Sequence, residues 1–292
     1  MSGAALATAA YIPRRGKVGD WGTFDSDDGT PGNEAYRGQG NHGISVGDVD
    51  NDGNDEIIYG SCVIDNDGRG LYSTGLGHGD AMDFADIDPD QPGLEIFKAN
   101  GDRPHPAGIQ LRDARTGRQL FAVPSTGADG VIRACAFDID PRHRGFEMWG
   151  KGRGVDGLFN AKGERISAVA PRTCNMGIWW DGDPLRELLN GVTVTKWDYE
   201  QAAENKLFSA ADFDCASNNG SKSNPCLCAD ILGDWREEIV ARTRNNRELR
   251  IFTTTIPATH RRPTLMHDPL YRLAVAWQNV SYNQSAHAKP FE

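Results

Sequence analysis

The residues best suited to chemistry form an acidic stretch that begins at Asp48. It reads Asp-Val-Asp-Asn-Asp-Gly-Asn-Asp-Glu, with carboxylates at positions 1, 3, 5, 8 and 9 and glycine at position 6. Calcium takes about six to eight oxygen ligands, and alternate side chains on a turning loop converge on one point. The spacing therefore predicts a calcium-binding loop, with a solvated acidic turn as the alternative. Its candidate ligands are Asp48, Asp50, Asp52, Asp55 and Glu56.

The stretch differs from an EF-hand loop. Its position 12 is Tyr59 instead of a bidentate glutamate, and a β-prone run follows where an EF-hand has a helix. It resembles the calcium loops at the blade edges of integrin-type propellers instead. A shorter turn at 65–68, Asp-Asn-Asp-Gly, carries fewer carboxylates, so that a metal site and a plain turn are equal alternatives there.

Similar acidic loops recur along the whole chain. They begin at Asp48, Asp86, Asp138, Asp181 and Asp230, which lie 38, 52, 43 and 49 residues apart. Most are followed by a glutamate and a short run of strand-forming residues. A period of about 40 to 50 residues is typical of the four-stranded blades of a propeller.

These repeats predict an all-β chain, a β-propeller that forms a partial or reduced ring of about four to six blades with calcium-binding acidic loops. We expect an irregular N-terminal leader at residues 1–23 and one propeller domain at residues 24–292. The leader contains an alanine-rich piece, 4–10, which lacks preceding basic residues and is too short for a convincing signal peptide.

Composition limits the classes of partner. The 292 residues carry 41 acidic and 31 basic side chains, a formal net charge of −10, which disfavours nucleic acid and suits cation binding. No apolar run approaches the length of about 18 residues that spans a membrane, so we expect no membrane partner. The six cysteines lack the paired spacing of a zinc site, which leaves a disulfide within 215–228 and free buried thiols as alternatives.

Five motifs beyond the acidic loops are distinctive in content and order. They are Gly40-Asn41-His42 and the segments 75–80, 215–222, 232–238 and 271–284. In these motifs the chain resembles the propeller-fold rhamnogalacturonan lyases, from about residue 24 to residue 284. The resemblance corresponds to the C-terminal half or so of a typical member, whose ring has about eight blades. Two alternatives follow: a fragment of a lyase, or a smaller ring that self-associates.

The resemblance implies a polysaccharide lyase that cleaves the rhamnogalacturonan I backbone of pectin by calcium-assisted β-elimination. It also implies a secreted protein whose cofactor is calcium and whose partner is the pectic polysaccharide. The first alternative is a non-catalytic, calcium-dependent carbohydrate-binding propeller, or an inactive fragment of a lyase. An integrin-like protein-binding module is a third possibility, which explains the acidic loops but not the remaining motifs.

The resemblance further implies a calcium ion in the cleft, held by His42, His78 and Asp80. Histidine is an unusual calcium ligand, and without the resemblance both histidines would be read as structural. The chain departs from the family pattern at 98–102, Lys-Ala-Asn-Gly-Asp, where the family has a further acidic ligand. The equivalent position is Asn100 or Gly101, unless Asp102 substitutes for the missing carboxylate by a small shift.

Two basic residues are implied as catalytic. Lys222 is a candidate base, since neighbouring cations and burial depress the pKa of a lysine; the alternative is a surface lysine in an Asn-Gly turn. Arg133 is expected to bind the uronate carboxylate or to share in proton removal. The residues implied to contact the sugar are Asn219, Gly220, Ser221 and Tyr282.

Overall fold

The computed structural model describes residues 32–101, 104–220, 222–280 and 285–288. The expected leader at 1–23, together with Asp102, Ser221 and Tyr282, lies outside the described residues. Over the described ranges the chain folds into five antiparallel sheets of four strands each, in agreement with an all-β chain.

The first three sheets follow one another along the chain, each with its strands in sequential order. The first contains β1 (Ser45–Gly47), β2 (Glu56–Tyr59), β3 (Cys62–Ile64) and β4 (Gly70–Ser73). The second contains β5 (Gly79–Ala85), β6 (Glu95–Asn100), β7 (His105–Asp113) and β8 (Gln119–Ser125). The third contains β9 (Arg133–Phe137), β10 (Glu147–Lys151), β11 (Leu158–Phe159) and β12 (Arg165–Ser167).

The fourth sheet repeats this order, whereas the fifth departs from it. The fourth contains β13 (Met176–Ile178), β14 (Glu187–Asn190), β15 (Thr193–Asp198) and β16 (Ala203–Ser209). The fifth contains β17 (Cys215–Ala216), β18 (Leu227–Ala229), β19 (Glu238–Thr243) and β20 (Leu249–Phe252). Here β17 and β18 both pair with β19, and β20 pairs with β19 as well. The loop between β17 and β18 therefore interrupts one edge of the fifth sheet.

Helical structure is limited to short pieces in the described ranges. Three 3-10 helices cover Asn33–Tyr36, Ala210–Phe213 and Leu265–His267, and one α-helix, α1, covers Pro269–Trp277. Helix α1 was not expected from the sequence, although its start signals are present. Asp268 accepts a hydrogen bond from the N–H of Leu270 at 2.9 Å, and Pro269 occupies the first turn, where a missing N–H costs nothing.

Successive sheets are held together by apolar clusters. Ile58 and Val63 of the first sheet pack with Phe84 and Ile96 of the second. Similar clusters join the second sheet to the third, the third to the fourth and the fourth to the fifth. Burial of this apolar surface is the main force that orders neighbouring sheets.

A further cluster involves helix α1. Tyr271, Ala274 and Trp277 of the helix pack with Trp235, from the loop before β19, and with the partly buried Val46 of β1. The helix thus lies between the fifth sheet and the first. The described residues include no helix long and apolar enough to cross a membrane.

Candidate functional site

The five acidic loops share one hydrogen-bonding arrangement. In each loop, a buried glutamate at the start of a strand accepts backbone N–H groups from the loop that precedes it. These glutamates are Glu56, Glu95, Glu147, Glu187 and Glu238. Glu147, for example, accepts from Ile139 and Asp140 at 3.0 and 2.8 Å. The glutamate after each acidic loop therefore fixes the backbone conformation of that loop through these hydrogen bonds.

The first loop gathers three of its five predicted calcium ligands. Ligand atoms of Asp48, Asp50 and Glu56 all lie within 4.8 Å of one another. Asp52 is exposed and accepts hydrogen bonds from the backbone and side chain of Asn54. Asp55 is also exposed and lies outside the group of three. The loop thus offers a compact set of carboxylates with additional acids at its rim.

The charges in this loop are poorly compensated by the protein. Burial raises the pKa of Glu56 to about 7, with a further upward contribution from the charges of Asp50 and Asp52. A divalent cation would offset this repulsion and favour the ionised carboxylate.

A second group of potential ligands lies where the segment before β1 meets the second sheet. His42 donates its backbone N–H to Gly79 at 3.1 Å, and Gly79 in turn donates to Gly40 at 3.3 Å. This pairing brings together the side chains of His42, His78 and Asp80, which we call the cleft cluster. Their ligand atoms lie within 4.8 Å of one another, and all three side chains are partly buried.

Within the cleft cluster, both imidazoles face one carboxylate. Nε2 of His42 lies 3.2 Å from Oδ1 of Asp80, and Nε2 of His78 lies 4.0 Å from the same atom. The two rings meet edge to face, with centroids 4.7 Å apart. Burial lowers the pKa of His42, although the charge of Asp80 acts in the opposite direction. Neutral imidazole is the form that binds metals.

Of the two candidate positions for the further acidic ligand, Gly101 lies beside Asp80, whereas the side chain of Asn100 is engaged elsewhere. A Cβ at residue 101 would lie 3.3 Å from Oδ2 of Asp80. Asn100 is fully buried, and its side chain is engaged by Lys98 and by the carbonyl of Ala107. Asn100 therefore has a structural role, and the cleft cluster lacks a side chain at residue 101.

Lys222 reaches the cleft cluster from the fifth sheet. It follows β17 in the loop that interrupts this sheet, and its Nζ lies 4.0 Å from Oδ2 of Asp80. The ammonium also donates to the carbonyl of Ile132 at 3.0 Å. Burial lowers the pKa of Lys222 to about 8, and the neighbouring charge of Arg133 contributes in the same direction. Lys222 is therefore buried beside other charges and is not a surface lysine.

Arg133 is positioned by a residue that the sequence motifs do not include. Its Nη1 donates to Oδ1 of Asn175 at 2.9 Å. The amide nitrogen of Asn175 donates to the carbonyl of Ser223, next to Lys222. Asp80, Arg133 and Asn175 also line one small cavity. Asn175 thus links the two basic residues, and nothing in its sequence context marks it.

Asn219 and Gly220 lie in the same loop as Lys222. The side chain of Asn219 accepts the backbone N–H of Lys222 at 2.9 Å, which fixes the turn, and Gly220 is exposed at its tip. The structure therefore places Asn219 in contact with the backbone of Lys222, whose side chain approaches Asp80.

A buried histidine–carboxylate contact involves the strand that carries Asp80. Nε2 of His287 lies 2.8 Å from Oδ1 of Asp83, and the other oxygen of Asp83 accepts the N–H of Ala136 at 3.1 Å. The His287 ring stacks on Phe137 and Phe146, with centroids 5.6 and 5.8 Å apart. This pair ties the C-terminal segment to the strand that carries Asp80. It was missed because its members are 204 residues apart in sequence.

Comparison with known proteins assigns the family. Residues 22–291 match the model of the C-terminal domain of rhamnogalacturonan lyase family 11. The chain belongs to this family. The resemblance inferred from the five motifs is thereby confirmed.

Curated relatives and solved structures agree with this assignment. The chain is 51% identical over 282 residues to the rhamnogalacturonan endolyase YesW of Bacillus subtilis, which covers 97% of the chain and 44% of the relative. It is 50% identical over 291 residues to the rhamnogalacturonan exolyase YesX of the same organism, covering 95% of the chain and 47% of that relative. The crystal structure of YesW superimposes with a TM-score of 0.85, over 91% of the chain and 44% of the YesW chain. A rhamnogalacturonan lyase of Bacillus licheniformis, 52% identical, also gives a TM-score of 0.85, with 91% and 44% coverage.

The chain therefore spans about half the length of the relatives that it matches.

All six cysteines lie among the described residues. Each is a free thiol, and five of the six are buried, so the structure agrees with free thiols and not with a disulfide within 215–228.

Proposed function

We propose that this chain catalyses β-elimination in the rhamnogalacturonan I backbone of pectin, with Lys222 as the base. One observation supports this above all: Nζ of Lys222 lies 4.0 Å from Asp80 of the cleft cluster, although the two residues belong to different sheets. A base beside a potential cation site is the arrangement that this reaction needs. Membership of the lyase family adds to this argument.

The reaction removes a proton from a carbon next to a uronate carboxylate. That proton is weakly acidic because the carboxylate already carries a negative charge, so the site must neutralise this charge. Arg133 is suited to bind the carboxylate through its planar guanidinium. The proton passes to the free amine of Lys222, a carbon–carbon double bond forms, and the glycosidic oxygen leaves with its bonding electrons.

The donor set of the cleft cluster can hold calcium, but only weakly. Two imidazoles and one carboxylate supply three ligands, whereas calcium takes about six to eight. A calcium ion held there would supply positive charge next to the uronate carboxylate. Substrate oxygens and water would complete its coordination. Asn219, Gly220, Ser221 and Tyr282 remain the proposed sugar contacts.

We further propose that the first acidic loop binds a structural calcium ion through Asp48, Asp50 and Glu56, with Asp52 and Asp55 as outer ligands. The support is the clustering of three carboxylates within 4.8 Å and the burial of Glu56. Uncompensated carboxylates repel one another and lower stability until a cation neutralises them.

We also propose that the five sheets are blades of a propeller. Each sheet packs on the next through an apolar cluster, and helix α1 lies between the fifth sheet and the first.

Self-association is a further proposal, in which a second copy of the chain completes the ring of sheets. Sedimentation velocity would test it, since a monomer at micromolar concentration argues against it.

A non-catalytic, calcium-dependent carbohydrate-binding protein is the second candidate. The observation that favours it is Gly101, which leaves the cleft cluster without a second carboxylate. An incubation with rhamnogalacturonan I and calcium separates the two candidates. Absorbance from the unsaturated product, abolished by a chelator, supports the lyase. Calcium-dependent binding without absorbance supports the binding protein instead.

Because rhamnogalacturonan is an extracellular polymer, we propose that the protein acts outside the cell. Detection of the protein in the culture medium of its natural host, with an antibody, would test this proposal.

A further inference from the structure

The five acidic loops differ at one cross-strand position. Each loop glutamate is the first residue of a strand, and the next strand of the sheet places one residue opposite that glutamate. Glu95 pairs with Asp113. Extending the register of the adjacent pairs by one residue places Asp65 opposite Glu56 and Lys196 opposite Glu187. The corresponding residues in the third and fifth sheets are Asn160 and Thr253. Only the fourth sheet has a basic residue at this position.

Lys196 uses this position to reach the centre of its loop. Its Nζ lies 2.5 Å from Asp183 and 3.0 Å from Glu187, and it also contacts Asp181. The three carboxylates have ligand atoms within 4.8 Å of one another, as in the first loop. The ammonium therefore lies where a cation bound by this loop would lie.

The surrounding carboxylates favour the protonated form of Lys196. Burial alone would lower the pKa of the lysine, but Glu187 and the hydrogen bonds to Asp181 and Asp183 together raise it. The lysine therefore stays protonated at neutral pH and supplies a permanent positive charge.

The first loop has the opposite arrangement. Asp65 stands at the position equivalent to Lys196, and Asn66 donates to Glu56 and to Asp52. Among the described residues, no ion pair joins a lysine or arginine to Asp48, Asp50, Asp52 or Glu56, and Asp48 and Glu56 accept backbone N–H groups instead. The two loops thus have equivalent carboxylates but differ in the source of positive charge.

We propose that Lys196 is a built-in counter-ion that replaces a divalent metal ion in the loop that contains Asp181, Asp183 and Glu187. This loop is then independent of calcium, whereas removal of the lysine exposes a latent calcium site. The proposal depends neither on lyase activity nor on whether the first loop binds an ion, because it concerns a difference in binding between variants.

The test is the number of calcium ions bound per chain, measured by equilibrium dialysis and calorimetry, for the full chain and for Lys196→Met. Methionine keeps the length of the side chain but removes its charge. We expect Lys196→Met to bind one calcium ion more than the unaltered chain. In chelator its melting temperature should fall by about 6 °C, and millimolar calcium should restore it. Lys206→Met is the matched control, because Lys206 lies on the neighbouring strand β16 and its exposed side chain forms an ion pair with the exposed Asp212.

Two results would overturn the proposal. One is an unchanged calcium count in Lys196→Met with the same loss of melting temperature in calcium and in chelator. The other is a lowered calcium count in Asp183→Asn, a variant that retains Lys196. This second measurement also tests the proposal if Lys196→Met does not fold. A calcium count equal to that of the unaltered chain supports the built-in counter-ion, whereas a loss of one ion shows that the loop already binds metal.

Discussion

The proposed lyase activity predicts a pH dependence of turnover that follows from the position of Lys222. Burial and the neighbouring charge of Arg133 lower the pKa of this lysine to about 8. A base acts in its deprotonated form, so we expect activity to be low below this pKa and to rise as the pH passes through it. The free amine amounts to about one part in eleven at pH 7 and about ten parts in eleven at pH 9, which predicts a rise in kcat/KM of about tenfold.

The assay is the initial rate of unsaturated product formation between pH 6 and pH 10, with calcium and ionic strength held constant. Replacement of Arg133 by methionine removes one cause of the lowered pKa. The midpoint of the profile should then move upward, and the rate should fall because the carboxylate contact is lost. A profile that is flat between pH 7 and pH 9, or that has its midpoint above pH 10, would refute Lys222 as a base in this environment.

Three further predictions concern stability and calcium. His287→Ala leaves the buried Asp83 without its hydrogen-bond partner and should lower the stability by about 3 kcal/mol, seen as a fall of about 6 °C in melting temperature, whereas His287→Gln, which can still donate a hydrogen bond, should lower it less. Gly101→Glu places a second carboxylate beside Asp80, so calorimetry should show calcium binding at least about tenfold tighter; unchanged affinity would argue against a cation at the cleft cluster. Chelation of the unaltered chain should lower the melting temperature by about 8 °C, and Asp50→Asn should reduce this difference.

The strands and the acidic loops were predictable because their signals are local. A loop such as Asp48 to Glu56, a glutamate after it and a β-prone run lie within a dozen residues, and the structure confirms the strand in each case. The repeat period predicted four-stranded units for the same reason. Helix α1 was overlooked because its nine residues are short compared with the pattern that marks an amphipathic helix.

The contacts that build the site could not be predicted from sequence patterns, because they join residues far apart in the sequence. Asn175 lies 42 residues from Arg133 and contacts it only because the third and fourth sheets are neighbours. His287 and Asp83 meet for a similar reason. Lys196 reads as an ordinary lysine in a strand, and its role becomes visible only from the ladder that sets it beside Glu187. The family resemblance identified Lys222 and the cleft cluster, but the structure alone gives their separation.

The most direct test of the proposed site is the rate of unsaturated product formation by Lys222→Met at saturating calcium. Lys206→Met serves as the control, because it removes an exposed lysine of the same chain. With Lys222 as the base, the first variant should lose at least about a hundredfold in kcat, with an unchanged melting temperature, and the control should keep its full rate. A Lys222→Met variant that turns over at the rate of the control would contradict the account.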